Sequence, residues 1–375
     1  MTIGAPFASA WTKSYSPRTI TLVGAVLFAV ANILASFGQS LWHFILTQGL
    51  LLGCATCMVY IPAVTVAPGW FTSHQGVAMG IILSGTGVGG VVWAPTLRAL
   101  NTSIGFRSTL RLTGGVSFVL IAASGFILKW DPDSERRNEA EIQARSTSGN
   151  SRTGRHSRLL PPLVDWRIVR TRRFAAQTLS AALQSAAYYT PVYFFSSYAR
   201  SLGFSAAAGA NFISLSNGSS AAGKVAIGYI ADRYGRINVL LAATMISAIS
   251  VLGLWLPSTV TGDQNPRSGD SRALFVAYTV LYGIFAGAYV SLFPITLVEL
   301  FGVQHFASVN GLLYMMRGFA TLVGTPAAGA LIRGAAEGSR NSIAYMASSI
   351  LVGSLLSCAT AGVFWVRIEA SRSAI

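Results

Sequence analysis

Apolar stretches long enough to cross a lipid bilayer recur along the whole chain. A helix that spans the hydrocarbon core of a membrane needs about 20 mainly apolar residues. About ten runs qualify, and we predict that each forms a transmembrane helix. They lie near residues 19–38, 42–66, 77–97, 109–129, 174–199, 206–230, 238–257, 273–298, 307–332 and 342–366. The pattern therefore predicts an all-α membrane protein.

The composition agrees with this prediction. Of the 375 residues, 52% are hydrophobic and only 10% are charged, whereas soluble proteins carry about 25% charged residues. The first twelve residues are too short to span and lack the pattern of a signal peptide, so we expect insertion through an internal span.

The longest polar stretch, 130–173, is rich in arginine. The positive-inside rule places it in the cytosol, and an even number of spans then places both termini there. Its residues 131–160 are nearly devoid of apolar side chains, so we expect this loop to be largely disordered. One loop fits the positive-inside rule poorly, because Arg98, Arg107 and Arg111 would lie at the outer end of the spans.

An internal repeat accounts for the unequal halves on either side of this loop. Tyr15-Ser-Pro-Arg18 before one span resembles Tyr234-Gly-Arg236 before another. Parallel repeats of this kind occur in one large class of transporters. The sequence predicts a truncated N-terminal transmembrane half without the first two helices of a twelve-helix, two-repeat architecture. The expected segments are 1–129 (four helices), 130–173 (basic loop), 174–367 (six helices) and 368–375 (cytosolic tail).

A charged loop motif links two spans in the second half. Gly228-Tyr-Ile-Ala-Asp232-Arg233-Tyr-Gly235-Arg236 resembles the loop motif G-x-x-x-D-R-x-G-R of the major facilitator superfamily. Gly228 would let two helices approach closely, and Gly235 would permit a tight turn. Asp232 can accept from a neighbouring helix N-terminus or pair with a basic side chain. We expect the motif to act in gating; the alternative is an ordinary charged loop.

A second stretch resembles the monocarboxylate-porter signature Y-F-x-K-R-R-x-L-A-x-G-x-A-x-A-G. The positions that match it are Phe71, Ala78, Gly80 and Gly85. The basic triplet is replaced by Ser-His-Gln at 73–75, which is a clear departure. The resemblance extends over residues 4–367 and is closest in style to the fungal branch of the family.

The resemblance implies a secondary transporter that carries a monocarboxylate or related small organic anion by alternating access. Several fungal relatives instead export secondary metabolites, so efflux of such a compound is an alternative. A transport-inactive sensor and a non-functional fragment of a carrier are further alternatives. The resemblance also implies a multi-pass membrane location, with the plasma membrane expected and an internal membrane as the alternative.

Two basic residues fall inside predicted spans. A charged side chain at mid-bilayer costs about 2.5–3.5 kcal/mol on insertion scales, so it normally faces a cavity or a partner. Lys224 and Arg317 are therefore candidates for attracting an anionic substrate, which Arg can bind through two parallel hydrogen bonds. The alternative for either residue is snorkelling or packing.

Gln177, Gln184 and Tyr188 share one face of the 174–199 span. They suggest the lining of a cavity for an amphiphilic or aromatic ligand, with helix–helix hydrogen bonding as the alternative. No Asp or Glu lies in the interior of a predicted span. Proton coupling, which the resemblance implies, is thus not supported by these residues, and facilitated diffusion is equally open.

Catalytic interpretations fail. The four His residues are scattered without metal-ligand spacing, and the glycine-rich stretch 85–90 lies inside an apolar run with no preceding strand. We expect no enzyme activity, cofactor or metal, and no nucleic-acid partner. The expected partners are membrane lipid, a small organic solute and, as a candidate coupling ion, the proton.

Overall fold

A computed structural model describes residues 2–71, 73–148, 166–264, 269–336 and 342–372. Within these ranges the regular elements are all helical. The helices are α1 Ala5–Tyr15, α2 Pro17–Ser36, α3 Leu41–Trp70, α4 Gln75–Ser103, α5 Gly105–Ile127, α6 Pro132–Ser148, α7 Trp166–Val169, α8 Arg172–Ser201, α9 Ala206–Tyr234, α10 Arg236–Asp263, α11 Gly269–Phe301, α12 Val303–Ala336 and α13 Ser342–Ser371. Helix α3 contains a π-helical stretch, Ile45–Leu51, and α10 contains another, Val251–Trp255.

Every predicted span corresponds to one of these helices, which confirms the all-α membrane class. Among the described residues, α2, α3, α4, α5, α10, α11 and α13 are long and apolar enough to cross a membrane. The three other helices at predicted spans, α8, α9 and α12, are 30, 29 and 34 residues long. Most of the helices extend beyond the predicted runs, because an apolar run marks only the part of a helix within the hydrocarbon core; α2 and α5 begin earlier but end two residues before their runs do.

The contacts divide the chain into two compact units. Unit 1 comprises Met1–Ser73, Pro95–Val169 and Leu297–Met315, and unit 2 comprises His74–Ala94, Arg170–Thr296 and Met316–Ile375. The sequence-based segments at 1–129, 130–173, 174–367 and 368–375 stay a prediction.

In unit 1, α2 packs closely against α5 and against α3. A β-carbon at Gly114 would lie 3.1 Å from the Asn32 side chain, and one at Gly125 would lie 3.2 Å from that of Thr21. Asn32 is near the end of α2 and Thr21 near its start, so the two helices run antiparallel. Glycines at both contacts let the helix axes approach each other without distortion.

Part of the loop at 130–173 is helical. The carboxylate of Asp131 accepts the backbone N–H of Ser134 at 3.0 Å and so caps the start of α6. The indole Nε1 of Trp70, the last residue of α3, donates to the Lys129 carbonyl at 2.9 Å. These contacts fix the start of α6 beside the end of α3. The remainder of the expected disordered stretch, 149–165, lies outside the described residues.

Unit 2 is built around an aromatic core. Trp255 and Tyr278 stack at 5.4 Å with nearly parallel rings. Tyr198 lies edge-on to Phe275 at 5.0 Å and donates or accepts a hydrogen bond with Ser258 at 2.7 Å. Such ring pairs add to the stabilisation from burial alone, so α8, α10 and α11 have a well-defined packing.

The two units repeat one local arrangement. Ser16, between α1 and α2, and Gly235, between α9 and α10, both have positive φ, at 112° and 89°. A β-carbon at Gly311 would contact the Ala5 carbonyl in unit 1, as one at Gly80 would contact the Lys224 carbonyl in unit 2. Ala5 and Lys224 precede their junctions by equal distances along the chain, as the internal repeat requires.

Candidate functional site

Helices α4 and α9 approach each other backbone to backbone in unit 2. A β-carbon at Gly76 would contact the Gly228 carbonyl, and one at Gly228 would contact the Gly76 carbonyl. Gly80 faces the Lys224 carbonyl in the same way, whereas no atom lies within 4 Å of a β-carbon placed at Gly85. The close approach expected of Gly228 is therefore present, and of the signature glycines Gly80 takes part in it.

Asp232 caps the N-terminus of α4. Its carboxylate accepts the backbone N–H of Gly76 at 2.8 Å and of Val77 at 3.0 Å. A carboxylate at this position satisfies two N–H groups that have no partner within their own helix, and it interacts favourably with the helix dipole. The Arg236 Nε also lies 3.9 Å from the same carboxylate. The structure thus contains both interactions that the loop motif suggests for Asp232.

The rest of the motif shapes the junction between α9 and α10. Gly235 has φ of 89°, a conformation that residues with a β-carbon rarely adopt. The guanidinium of Arg233 lies 5.6 Å from the ring centroid of Tyr229, one turn earlier in α9. The gating role of the motif stays a prediction.

The Lys224 side chain is directed at α4. Its Nζ donates to the Thr86 hydroxyl at 2.7 Å and to the Leu83 carbonyl at 3.1 Å, and the residue is only 3% exposed. An ammonium group has three donors. Two of them therefore serve contacts between α9 and α4.

The Arg317 guanidinium lies on an aromatic platform formed by α11. It is centred 4.7 Å from the Phe293 ring and 5.8 Å from the Tyr289 ring, and the residue is 5% exposed. Its Nη2 donates to the Gln184 side-chain oxygen of α8 at 3.4 Å. The Ser185 hydroxyl donates to the Arg317 carbonyl at 3.1 Å, which ties α8 to α12 beside the guanidinium.

Of the three residues predicted to share a polar face of α8, Gln184 is the one whose side chain accepts a hydrogen bond from Arg317. Gln177 is fully buried and neither of its amide atoms has a hydrogen-bond partner among the described residues. Tyr188 is half-buried; its carbonyl accepts the Tyr282 hydroxyl at 3.0 Å and the two rings stack at 6.5 Å. Such ring pairs add to the packing of α8 against α11.

Sequence reasoning missed the platform beneath Arg317. Tyr289 and Phe293 are four residues apart in α11, so they share a helix face, and that spacing was an available signal. The partners of Lys224, the Leu83 carbonyl and Thr86, had no signal in the sequence. Of the signature residues, Ala78 is half-buried in α4, and Phe71 belongs to unit 1 and is exposed.

Long helices at all ten predicted spans in the described part of the chain, with a buried guanidinium and an acid-capped helix N-terminus, are typical of one class, the multi-pass membrane transporters. The sequence profile of the Major Facilitator Superfamily matches residues 1–325 and 219–374. The chain belongs to this superfamily.

Curated relatives cover most of the chain. An MFS-type transporter of Gibberella moniliformis is 28% identical over 98% of this chain and 79% of its own length. The agnestins efflux protein AgnL12 of Paecilomyces divaricatus is 26% identical over 88% of this chain and 68% of its own length. Human monocarboxylate transporter 11 is 25% identical over 94% of this chain and 69% of its own length.

Solved structures show the same fold. A bacterial homologue of the iron transporter ferroportin, in an outward-facing state, has a TM-score of 0.66 at 14% identity; the match covers 99% of this chain and 87% of the homologue. The E. coli fucose:proton symporter FucP has a TM-score of 0.64 at 16% identity and covers 97% of this chain and 88% of its own.

Proposed function

We propose that this chain is a secondary transporter for a small organic anion, a monocarboxylate or a related compound, which it moves by alternating access. In this proposal Arg317 binds the carboxylate of the substrate. The buried guanidinium on its aromatic platform is the observation that carries the proposal. No catalytic step is part of it.

The surroundings of Arg317 suit a charged group that meets a ligand. A guanidinium inside a span is expensive to insert, and such residues face a pathway or a partner. Phe293 and Tyr289 hold the group by cation–π contacts, which orient it without neutralising its charge. The Gln184 contact is long at 3.4 Å, so a carboxylate can displace it at small cost.

Lys224 takes a different role in this proposal. Because two of its donors bond Thr86 and the Leu83 carbonyl, we assign it to positioning α4 against α9. We also assign substrate recognition to Gln184, which contacts the Arg317 guanidinium, and to Tyr188, whose ring stacks on Tyr282 of α11. Gln177 is a weaker candidate, because the structure shows no contact that links it to Arg317.

The names of two relatives support this substrate class and its alternative. Monocarboxylate transporter 11 is named for monocarboxylates, and AgnL12 is named as an efflux protein for agnestins. Export of a secondary metabolite is therefore the second candidate function. The half-buried ring of Tyr188, which stacks on Tyr282 and can contact an aromatic compound, is the observation that favours it.

Flux measurements in proteoliposomes test the proposal. Purified chain is reconstituted, and uptake of radiolabelled monocarboxylates is measured with and without an imposed pH gradient. We expect Arg317→Gln to reduce uptake at least tenfold, because the charge that pairs with the carboxylate is lost. Stimulation of uptake by the pH gradient would identify protons as the coupling ion, and equal uptake without it would indicate facilitated diffusion.

Arg333 provides the matched control, since it lies exposed near the end of the same helix, α12. Arg333→Gln should leave uptake unchanged. Undiminished uptake in Arg317→Gln would reject the assignment of the binding residue. Saturable binding of the anion without flux would instead indicate a sensor, and export of an aromatic metabolite without monocarboxylate uptake would favour the second candidate.

A further inference from the structure

Arginines stack on phenylalanines at both ends of the antiparallel α2–α5 pair in unit 1. The Arg18 guanidinium lies 4.7 Å from the Phe126 ring centroid at one end. At the other end the Arg111 guanidinium lies 4.7 Å from the Phe37 ring centroid, and its Nε donates to the Ser36 hydroxyl at 3.0 Å. Arg111 is thus held in one orientation by two contacts from the end of α2.

The Arg111 end carries a second arginine on the same helix face. Arg107 lies one turn before Arg111 in α5, and both side chains are exposed. Like charges at this spacing repel each other. The Arg107 side chain forms no hydrogen bond or ion pair with any residue that the structure describes. The first acidic residue of the chain is Asp131, 24 positions further along the sequence.

Exposed aromatic side chains lie at the ends of the helices that meet here, and Phe37 contacts Arg111. Phe37 is 61% exposed, Trp42 71% and Phe106 52%, and Phe106 contacts Phe44 with ring centroids 6.0 Å apart. Aromatic residues with this exposure at the ends of transmembrane helices lie at the level of the lipid headgroups. Every phospholipid carries a phosphate group at that depth, so phosphate is the anion available to Arg107 and Arg111.

We propose that Arg107 and Arg111 form a binding site for the phosphate group of a membrane phospholipid. Phe37 is the platform that orients Arg111, and the terminal nitrogens of both guanidinium groups donate to the phosphate oxygens. Phe106 and Trp42 contact the glycerol and upper acyl region. The site also explains why Arg107 and Arg111 occur at the end of the protein that the positive-inside rule leaves poor in positive charge.

Native mass spectrometry of the purified chain tests this site. The protein is reconstituted into vesicles of equal parts phosphatidylcholine and phosphatidylglycerol, released into detergent, and the bound lipids are counted. We expect the double variant Arg107→Gln/Arg111→Gln to lower the occupancy of the most tightly bound lipid roughly tenfold or more, as loss of two charges near a phosphate predicts. Unchanged occupancy would overturn the proposal.

Arg98→Gln is the matched control. Arg98 carries the same charge at the same end and is exposed, and its backbone carbonyl accepts the Thr102 hydroxyl at 3.3 Å. It should retain the lipid. An equal loss in Arg98→Gln would show a diffuse charge effect and overturn the site, as would displacement of the lipid by millimolar inorganic phosphate, which would identify a soluble anion as the ligand.

Phe37→Leu keeps all charges and covers the case in which the double variant fails to fold. Loss of the cation–π contact should lower lipid occupancy about threefold. Occupancy equal to that of the unmodified chain in Phe37→Leu would contradict the proposed platform. Thermal unfolding of each variant confirms that the compared proteins are folded.

Discussion

Gly80 of α4 lies directly against the backbone carbonyl of Lys224 in α9, with no room for a β-carbon between them. We expect Gly80→Ala to force the helices apart and to lower the free energy of unfolding by about 1–3 kcal/mol. Gly85, five residues further along the same helix, faces open space. Gly85→Ala should raise that free energy by about 0.5–1 kcal/mol, since alanine favours helix. Thermal unfolding in detergent compares the two; equal effects would contradict the close contact.

The carboxylate of Asp232 predicts a second stability effect. Asp232→Asn removes the charge and leaves one acceptor oxygen for the N–H groups of Gly76 and Val77. The free energy of unfolding should fall by about 1–2 kcal/mol. Glu369→Gln is the control, because Glu369 pairs only with the exposed Arg372 at 3.8 Å, and such pairs contribute little. Chemical or thermal unfolding of both variants checks the difference.

Ser16 predicts a stabilising substitution. Its φ of 112° is rarely adopted by a residue with a β-carbon and costs about 1–3 kcal/mol. Ser16→Gly relieves this strain but loses two exposed hydrogen bonds of the Ser16 hydroxyl, one from the Thr19 N–H at 3.3 Å and one with the Thr19 hydroxyl at 3.1 Å. We expect a net gain of about 1 kcal/mol in the free energy of unfolding.

Ser205 is the control for Ser16→Gly. It also caps a helix, accepting the Ala208 N–H at 3.1 Å, but its φ is an ordinary −65°. Ser205→Gly should therefore lose a few tenths of a kcal/mol. A loss of stability in both variants would show that Ser16 is not strained.

Lys224→Met separates packing from substrate recognition. If Lys224 positions α4 through Thr86 and the Leu83 carbonyl, its replacement by a similarly shaped apolar residue leaves the KM for the transported anion within about twofold. Arg317→Gln should change transport at least tenfold under the same conditions. A tenfold rise of the KM in Lys224→Met would assign this ammonium to the substrate. Initial rates over a range of anion concentrations provide the measurement.

The spans were predictable because the hydrocarbon core imposes a length and a polarity that the sequence must meet. The predicted run 77–97 corresponds to the longer helix Gln75–Ser103, and the run 273–298 to Gly269–Phe301. The ends of these helices continue into the headgroup region, where polar residues are common and the apolar pattern gives no signal. Helix α1 was missed, because its 11 residues are too few to give a span signal. The π-helical stretches left no mark in the hydrophobic pattern either.

The candidate site was predictable in its residue types but only partly in its contacts. Arg317 and Lys224 could be identified as candidates because a charged residue inside an apolar span is costly to insert, whichever way its side chain faces. Which group each one meets depends on how helices distant in sequence pack. The cap that Asp232 forms on α4 joins residues 156 positions apart, and no local pattern encodes such a pairing.

The arginines stacked at the two ends of the α2–α5 pair fix how unit 1 sits across a bilayer. Helix α2 has 20 residues, or about 30 Å at 1.5 Å per residue. This distance equals the average hydrocarbon thickness of about 30 Å, between about 27 Å for the endoplasmic reticulum and about 32–33 Å for a sterol-rich plasma membrane. Because both ends hold a guanidinium, each end stays at the headgroup level. A thinner bilayer is therefore met by tilting of the pair and a thicker one by local thinning of the lipid, so activity should depend on acyl-chain length, with an optimum at intermediate chains.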